Sequence, residues 1–173
     1  MAGEISDDLV ARLRRGDDEA WSRFYDSIAP DIRAYVARIG STTPDDVLGE
    51  TMLQAVRDMA RFRGTANDLR AWTFRIARNR VIDAARRRAR RPRETQLTGD
   101  TDVAVDQHEQ LLGGDLPALL EQLTDDQRDA VWLRHVVGLS VEETASVMDR
   151  APDAVAALTH RALRRLRAAL DRN

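Results

Sequence analysis

The chain has 173 residues, enough for one ordinary domain or two small ones, and 43% hydrophobic against 32% charged residues limits it to small cores. It has no Cys, which excludes a disulfide framework and thiolate metal sites, and no long apolar run, which excludes a transmembrane span. The formal net charge is −2, and all 27 basic residues are Arg. That near-neutral total hides a segmented pattern. Residues 1–60 carry −5, 61–93 carry +10, 94–149 carry −11 and 150–173 carry +4. Two separate basic blocks indicate one polyanion held at two places.

The first 18 residues are acidic and amphipathic, unlike a signal peptide. Ile5–Arg15 reads as a short helix with Leu9, Val10 and Leu13 inward and Gly16 as its stop. Asp17 caps the next helix, whose core candidates are Trp21, Phe24, Tyr25 and Ile28. Pro30 is expected to break or kink it, with Ile32, Tyr35, Val36 and Ile39 continuing the pattern. Thr43 and Pro44 start a helix to Ala60, with Val47, Leu48, Met52, Ala55, Val56 and Met59 inward. A short polar loop, 62–67, precedes a long basic helix. There Leu69, Trp72, Ile76, Ala77, Val81 and Ala84 share one face and Arg75, Asn79 and Arg86 the opposite one. Asp83 is close to that polar face, and Pro92 ends the run. Between Arg61 and Arg93 twelve Arg stand against Asp68 and Asp83 alone, the footprint of a phosphate-binding surface.

Residues 93–114 are acidic and aperiodic and read as a flexible linker. Leu116–Gln122 reads as a short helix. Thr124 and Gln127 form a capping box opening a helix from Asp125 to Val137, closed by Gly138. A second box, Ser140 with Glu143, opens a helix to Met148. A turn over 149–151 leads to a last helix from Pro152, with Val155, Leu158, Ala162, Leu166 and Leu170 as its buried stripe. Two helices joined by a tight turn, the second one basic, form a helix-turn-helix pattern. Ala156, Ala157, His160, Arg161, Arg164 and Arg167 face away from the stripe. No strand is expected, so the fold class is all-α with two small helical domains: 1–92, and 115–173 beyond the linker.

At this point the residues resemble a known family. WTFRIARNRVIDAARR over Trp72–Arg87, together with PDDVLGETMLQAV over Pro44–Val56, is similar to the second conserved region of bacterial sigma factors. Leu123–Leu166 is similar to their fourth region. The short linker between them resembles the extracytoplasmic-function group. The resemblance implies a protein that binds core RNA polymerase, recognises promoters and helps open them. It assigns Asp46, Glu50 and Gln54 to the β′ clamp helices of the polymerase, with the β flap as a second polymerase contact. It assigns Phe62, Arg63 and Asn67 to capture of a flipped base of the minus-ten element, and Arg75, Arg78, Asn79 and Arg86 to reading that element and its backbone. It assigns Ala156, Ala157, His160, Arg161 and Arg164 to the minus-35 element. It also implies an anti-sigma factor as a further partner, a cytoplasmic location with nucleoid association when polymerase-bound, and no membrane insertion.

The fourth region departs from the family. Ala154-Val155-Ala156-Ala157-Leu158 stands where the family usually shows Thr-Val-Lys-Ser-Arg, and Asp149 replaces the usual turn glycine. Modest minus-35 discrimination is therefore expected. His108, His135 and His160 lack ligand spacing, and no nucleophile–base set or phosphate-cradling loop appears, so no metal, cofactor or catalysis is expected. Trp72 reads as a core residue, with stacking at a melted fork as the alternative. Two other functions stay open: a helix-turn-helix regulator that never engages polymerase, and a module whose basic faces bind an acidic protein.

Overall fold

The structure, a computed structural model, describes residues 5–90, 120 and 122–171. The described residues are helical, with no strand among them. None of these helices is long and apolar enough to cross a membrane. The chain divides into two compact units, Met1–Val103 and Ala104–Asn173. The expected linker lies outside the described residues, as does most of the expected helix 116–122, of which Leu120 is helical.

The first unit holds α1 (Asp7–Arg14), α2 (Asp18–Arg38), α3 (Pro44–Asp58) and α4 (Ala66–Arg90). Ser6 Oγ accepts from the Leu9 amide at 3.2 Å and caps α1, while Asp17 caps α2 by accepting from the Ala20 amide at 3.0 Å. Pro30 does not break α2, which runs through it. Its missing N–H removes one helical hydrogen bond, a loss of about 3 kcal/mol in a helix interior. The neighbouring Ile28, Ala29 and Ile32 are buried and hold the helix in place. Helix α3 ends at Asp58, and a 3₁₀ turn, Met59–Arg61, leads on to the loop.

Helix α4 packs on α1, α2 and α3 together. Its buried arc is therefore broader than the expected stripe. Thr73 and Phe74, both outside that stripe, are fully buried, whereas Trp72 and Ala84 are half-buried. Phe74 meets Tyr35 edge-on at 5.4 Å. The buried Thr73 and Thr51 hydroxyls donate to the Leu69 and Val47 carbonyls at 2.8 and 2.6 Å. Arg70 ties α4 to Asp31 of α2 at 2.5 Å. Two expected core residues face outward: Tyr25 is 40% exposed and Val56 51%. Phe24 and Ile28 on α2, and Met52 and Ala55 on α3, are the residues that reach the core.

The second unit holds α5 (Asp125–Val131), α6 (Val141–Met148) and α7 (Pro152–Leu170). Both expected capping boxes form, on Thr124 with Gln127 and on Ser140 with Glu143. The expected single helix to Val137 does not. After Val131 it widens into a π turn, Trp132–Val136, in which the Val137 amide donates back to the Trp132 carbonyl at 3.0 Å. The wider turn lets Leu133, Val137 and Leu139 all reach the core and turns Val136 outward. Asp149 takes the left-handed conformation, φ 53° and ψ 52°, where the turn calls for glycine. Val155 is fully buried, and Ala162 packs with Leu120, Leu123, Val131 and Leu166. Leu170 lies off the expected stripe at 60% exposed, while Ala169 is buried. Counting about 100° per residue from Val155, position 169 stays on the stripe and 170 has rotated away.

Candidate nucleic-acid interface

The outer face of α4 carries an open cleft of about 690 Å³ lined by Trp72, Arg75, Asn79, Arg80, Arg86 and Arg90, among others. Arg75, Asn79 and Arg86 are exposed side chains. Their 4- and 11-residue spacing sets them on one side of the helix, opposite the buried Ala77 and Val81. Asp83 lies among them, 3.5 Å from Arg86. Arg78 sits apart from this row on the flank and is half-buried. Arg80, at the cleft floor, reaches across to α3, donating to Glu50 at 2.6 Å and to Gln54 at 2.8 Å. The cleft thus offers several planar donor forks beside an indole edge, a chemistry suited to phosphates and unstacked bases.

The loop 62–65 that precedes α4 is held on several sides. Phe62, expected among the base-capturing residues, has its ring buried (8% exposed) and packed on Trp72, centroids 5.0 Å apart. Arg14 of α1 lies over the other part of that ring, 5.8 Å from its centroid, and donates to the Phe62 and Gly64 carbonyls at 3.2 Å each. Asp7 of α1 accepts from the Ala66 amide at 2.9 Å, satisfying a donor at the start of α4. Asp68 accepts from the Thr65 amide and hydroxyl at 2.8 and 2.7 Å, and these bonds lower its pKa. Gly64 fits closely: a Cβ there would sit 2.5 Å from both the Phe62 ring and Asp68 Cβ. Arg63 and Asn67 are exposed, with Arg63 also donating to the Ala60 carbonyl at 2.7 Å. No local pattern marked Arg14 or Asp7, because their partners lie 48 to 59 residues away.

On α3, Asp46 and Glu50 are exposed one turn apart, beside Leu53 (58% exposed) and Val56. Gln54 is half-buried and turned towards Asp58 and Arg80. Asp45 pairs with Arg33 at 2.7 Å. The face is acidic with an apolar margin, which suits a partner carrying Arg or Lys beside aliphatic side chains.

In the second unit Ala156, His160, Arg161 and Arg164 of α7 are exposed and Ala157 is half-buried. Arg161 and Arg164 border a groove of about 350 Å³ that also includes Arg165 and Gln127, themselves 3.5 Å apart. No group of three or more His, Asp or Glu could hold a metal among the described residues.

A basic cleft on one helical unit and a helix-turn-helix with a basic outer face on another define a two-unit DNA-binding protein of transcription. The family models Sigma-70 region 2 and Sigma-70, region 4 match residues 19–91 and 114–166. The chain is 33% identical to the ECF RNA polymerase sigma factor SigD of Mycobacterium tuberculosis, over 96% of this chain and 84% of SigD. It is also 33% identical to BldN of Streptomyces coelicolor, over 92% of this chain, and there it spans only 63% of the relative's length. Its fold matches CnrH, solved with the cytosolic domain of CnrY, at a TM-score of 0.67 and 25% identity over 98% of this chain and 99% of CnrH. The chain belongs to the extracytoplasmic-function (ECF) group of RNA polymerase sigma factors.

Proposed function

We propose that this sigma factor docks on the β′ clamp helices of core RNA polymerase through Asp46 and Glu50 of α3 and holds the minus-ten element with α4 and the loop before it. The observation that carries this reading is the arginine-lined cleft bordering Trp72. Arg75, Asn79 and Arg86 contact the element and its backbone there, and Arg78 does so from the flank. Arg63 and Asn67 contact the captured base. We read the buried ring of Phe62 as supporting this loop from beneath. Gln54 acts on docking indirectly, through Arg80.

Helix α7 lies in the minus-35 major groove, with His160, Arg161 and Arg164 supplying polar contacts and Ala156 and Ala157 only methyls. Discrimination at minus-35 is therefore modest, and the minus-ten element carries more of promoter choice. The unit 104–173 also meets the β flap. CnrH was solved with the cytosolic domain of CnrY, which supports a polypeptide partner for this chain too, and we infer that this partner is an anti-sigma factor. The chain works in the cytoplasm, takes no cofactor and catalyses nothing by itself.

Run-off transcription with core polymerase on promoters of the source genome tests the reading as a whole. Asp46→Arg tests docking, since Asp46 is exposed and its reversal leaves the Glu50–Arg80 pair in place. Core binding should weaken by at least about tenfold, a typical consequence of reversing a charge opposite an interfacial partner. Unchanged affinity with wild-type helicity would move the clamp contact elsewhere.

A further inference from the structure

We propose that Arg14, on α1, is a positioning residue for base capture, acting by holding the loop 62–65 in its binding shape before DNA arrives. The inference rests on the reading of 62–67 as the base-capturing segment.

From α4 the loop is held by the Thr65–Asp68 bonds and by the Phe62 ring packed on Trp72. It lies between a 3₁₀ turn and the start of α4, and its Arg63 and Thr65 are exposed, as is Asn67 in the first turn of α4. A second set of ties comes from α1, a helix anchored by Leu9, Val10 and the almost fully buried Leu13. Arg14 follows Leu13 directly, so its backbone is held by that anchor. One terminal nitrogen of its guanidinium gathers two carbonyls two residues apart, those of Phe62 and Gly64. The same group lies over the Phe62 ring. Asp7, near the other end of α1, takes the Ala66 amide. Both ends of the loop are thus tied to one short helix, and neither tie belongs to the exposed row of Arg75, Asn79 and Arg86 on α4.

Ordering a loop at the moment of binding subtracts from affinity, and a loop already ordered avoids that loss. It also places donors where one base fits and another does not. Loss of Arg14 should therefore reduce base selectivity more than it reduces general attraction for DNA. A phosphate-contacting arginine would do the reverse, because phosphate contacts carry no sequence information and set the salt dependence.

The test uses holoenzyme assembled from the full chain and core polymerase, selecting from a randomised single-stranded DNA library. The bound pool is sequenced at several salt concentrations. Wild type should show a strong bias for one base at the captured position. Arg14→Ala should flatten that bias by roughly tenfold, with the salt slope and core binding retained. Arg14→Lys should restore part of the bias, since an ammonium can still donate to both carbonyls but lacks the planar face over Phe62. Asp7→Asn weakens the other tie with Arg14 intact, and it should shift the bias in the same direction even if Arg14→Ala folds poorly. An unchanged bias in Arg14→Ala, or a salt slope lower by about one with the bias kept, overturns the proposal. Absence of any bias in wild type would overturn the reading of 62–67, and this inference with it.

Discussion

Replacing Phe62 with Ala separates a ring that supports the loop from a ring that touches DNA. The ring is 8% exposed, lies 5.0 Å from Trp72 and carries Arg14 at 5.8 Å. Removing a buried phenyl group destabilises by about 3–5 kcal/mol, cavity included. Within that figure the aromatic pair contributes roughly 0.5–1.5 kcal/mol and the exposed cation–π contact about 0.5–1 kcal/mol. The lower end applies here, because the loop is at the surface and can collapse into part of the space. About 3 kcal/mol in a unit of this size lowers the melting temperature by roughly 12–24 °C. Phe62→Leu, which keeps most of the volume, should lose about 1 kcal/mol. Trp21 and Trp72 report on this unit, so melts followed by Trp emission in a Trp132→Phe background read it alone. A loss below about 1 kcal/mol for Phe62→Ala, combined with abolished single-strand binding, would refute the argument and make the ring a DNA contact.

Other outcomes follow from single residues. The Asp17 carboxyl is held at about 2 by hydrogen bonds from Arg12 and then from the Ala20 amide, below its ordinary 3.8. The folded state thus binds this proton less readily than the unfolded chain, and the stability it contributes above pH 4 or so is lost as pH falls towards 2. Asp17→Asn should flatten acid unfolding across that window, followed by circular dichroism at fixed urea, and an unaltered curve would contradict the pairing. Thr144 is fully buried with no hydrogen-bond partner for its Oγ1 among the described residues. Thr144→Val should therefore be neutral or gain roughly 1 kcal/mol in chemical denaturation, and a loss of that size would reveal a partner for the hydroxyl. Asp149→Gly relieves a left-handed residue and should raise stability by up to about 1 kcal/mol in the same assay; destabilisation would mean that the Asp side chain holds the turn.

What could be read from the chain was what is written within a few residues. Both capping boxes, the left-handed Asp149, the basic face of Arg75, Asn79 and Arg86 and the helix-turn-helix all rest on such short spacings. What could not be read depends on neighbours far along the chain. Phe62 stands in a polar stretch, and nothing near it marks Trp72 as its cover. Thr73 and Phe74 fall outside a single stripe because α4 is enclosed by three helices. Val56 and Tyr25 fit a 3.6-residue period yet face outward, since the period does not say how wide the covered arc is. Pro30 and the π turn at Trp132 follow from packing, which outweighs the local preference.

The bond from the Ala66 amide to Asp7 spans 59 residues. An amide at the start of a helix is ordinarily capped by a side chain three residues or fewer away, as Asp17 does for α2. Closing the longer loop costs roughly 3 kcal/mol more in chain entropy than closing a three-residue one. The start of α4 therefore has this cap only while α1 is docked on it. Separation of α1 uncaps the helix and removes the Arg14 ties on the loop together, leaving the Thr65–Asp68 bonds and the enclosed middle of α4 around Phe74 and Ala77. The Ala66 amide is therefore expected to exchange together with those of α1, ahead of the middle of α4, in native-state hydrogen exchange.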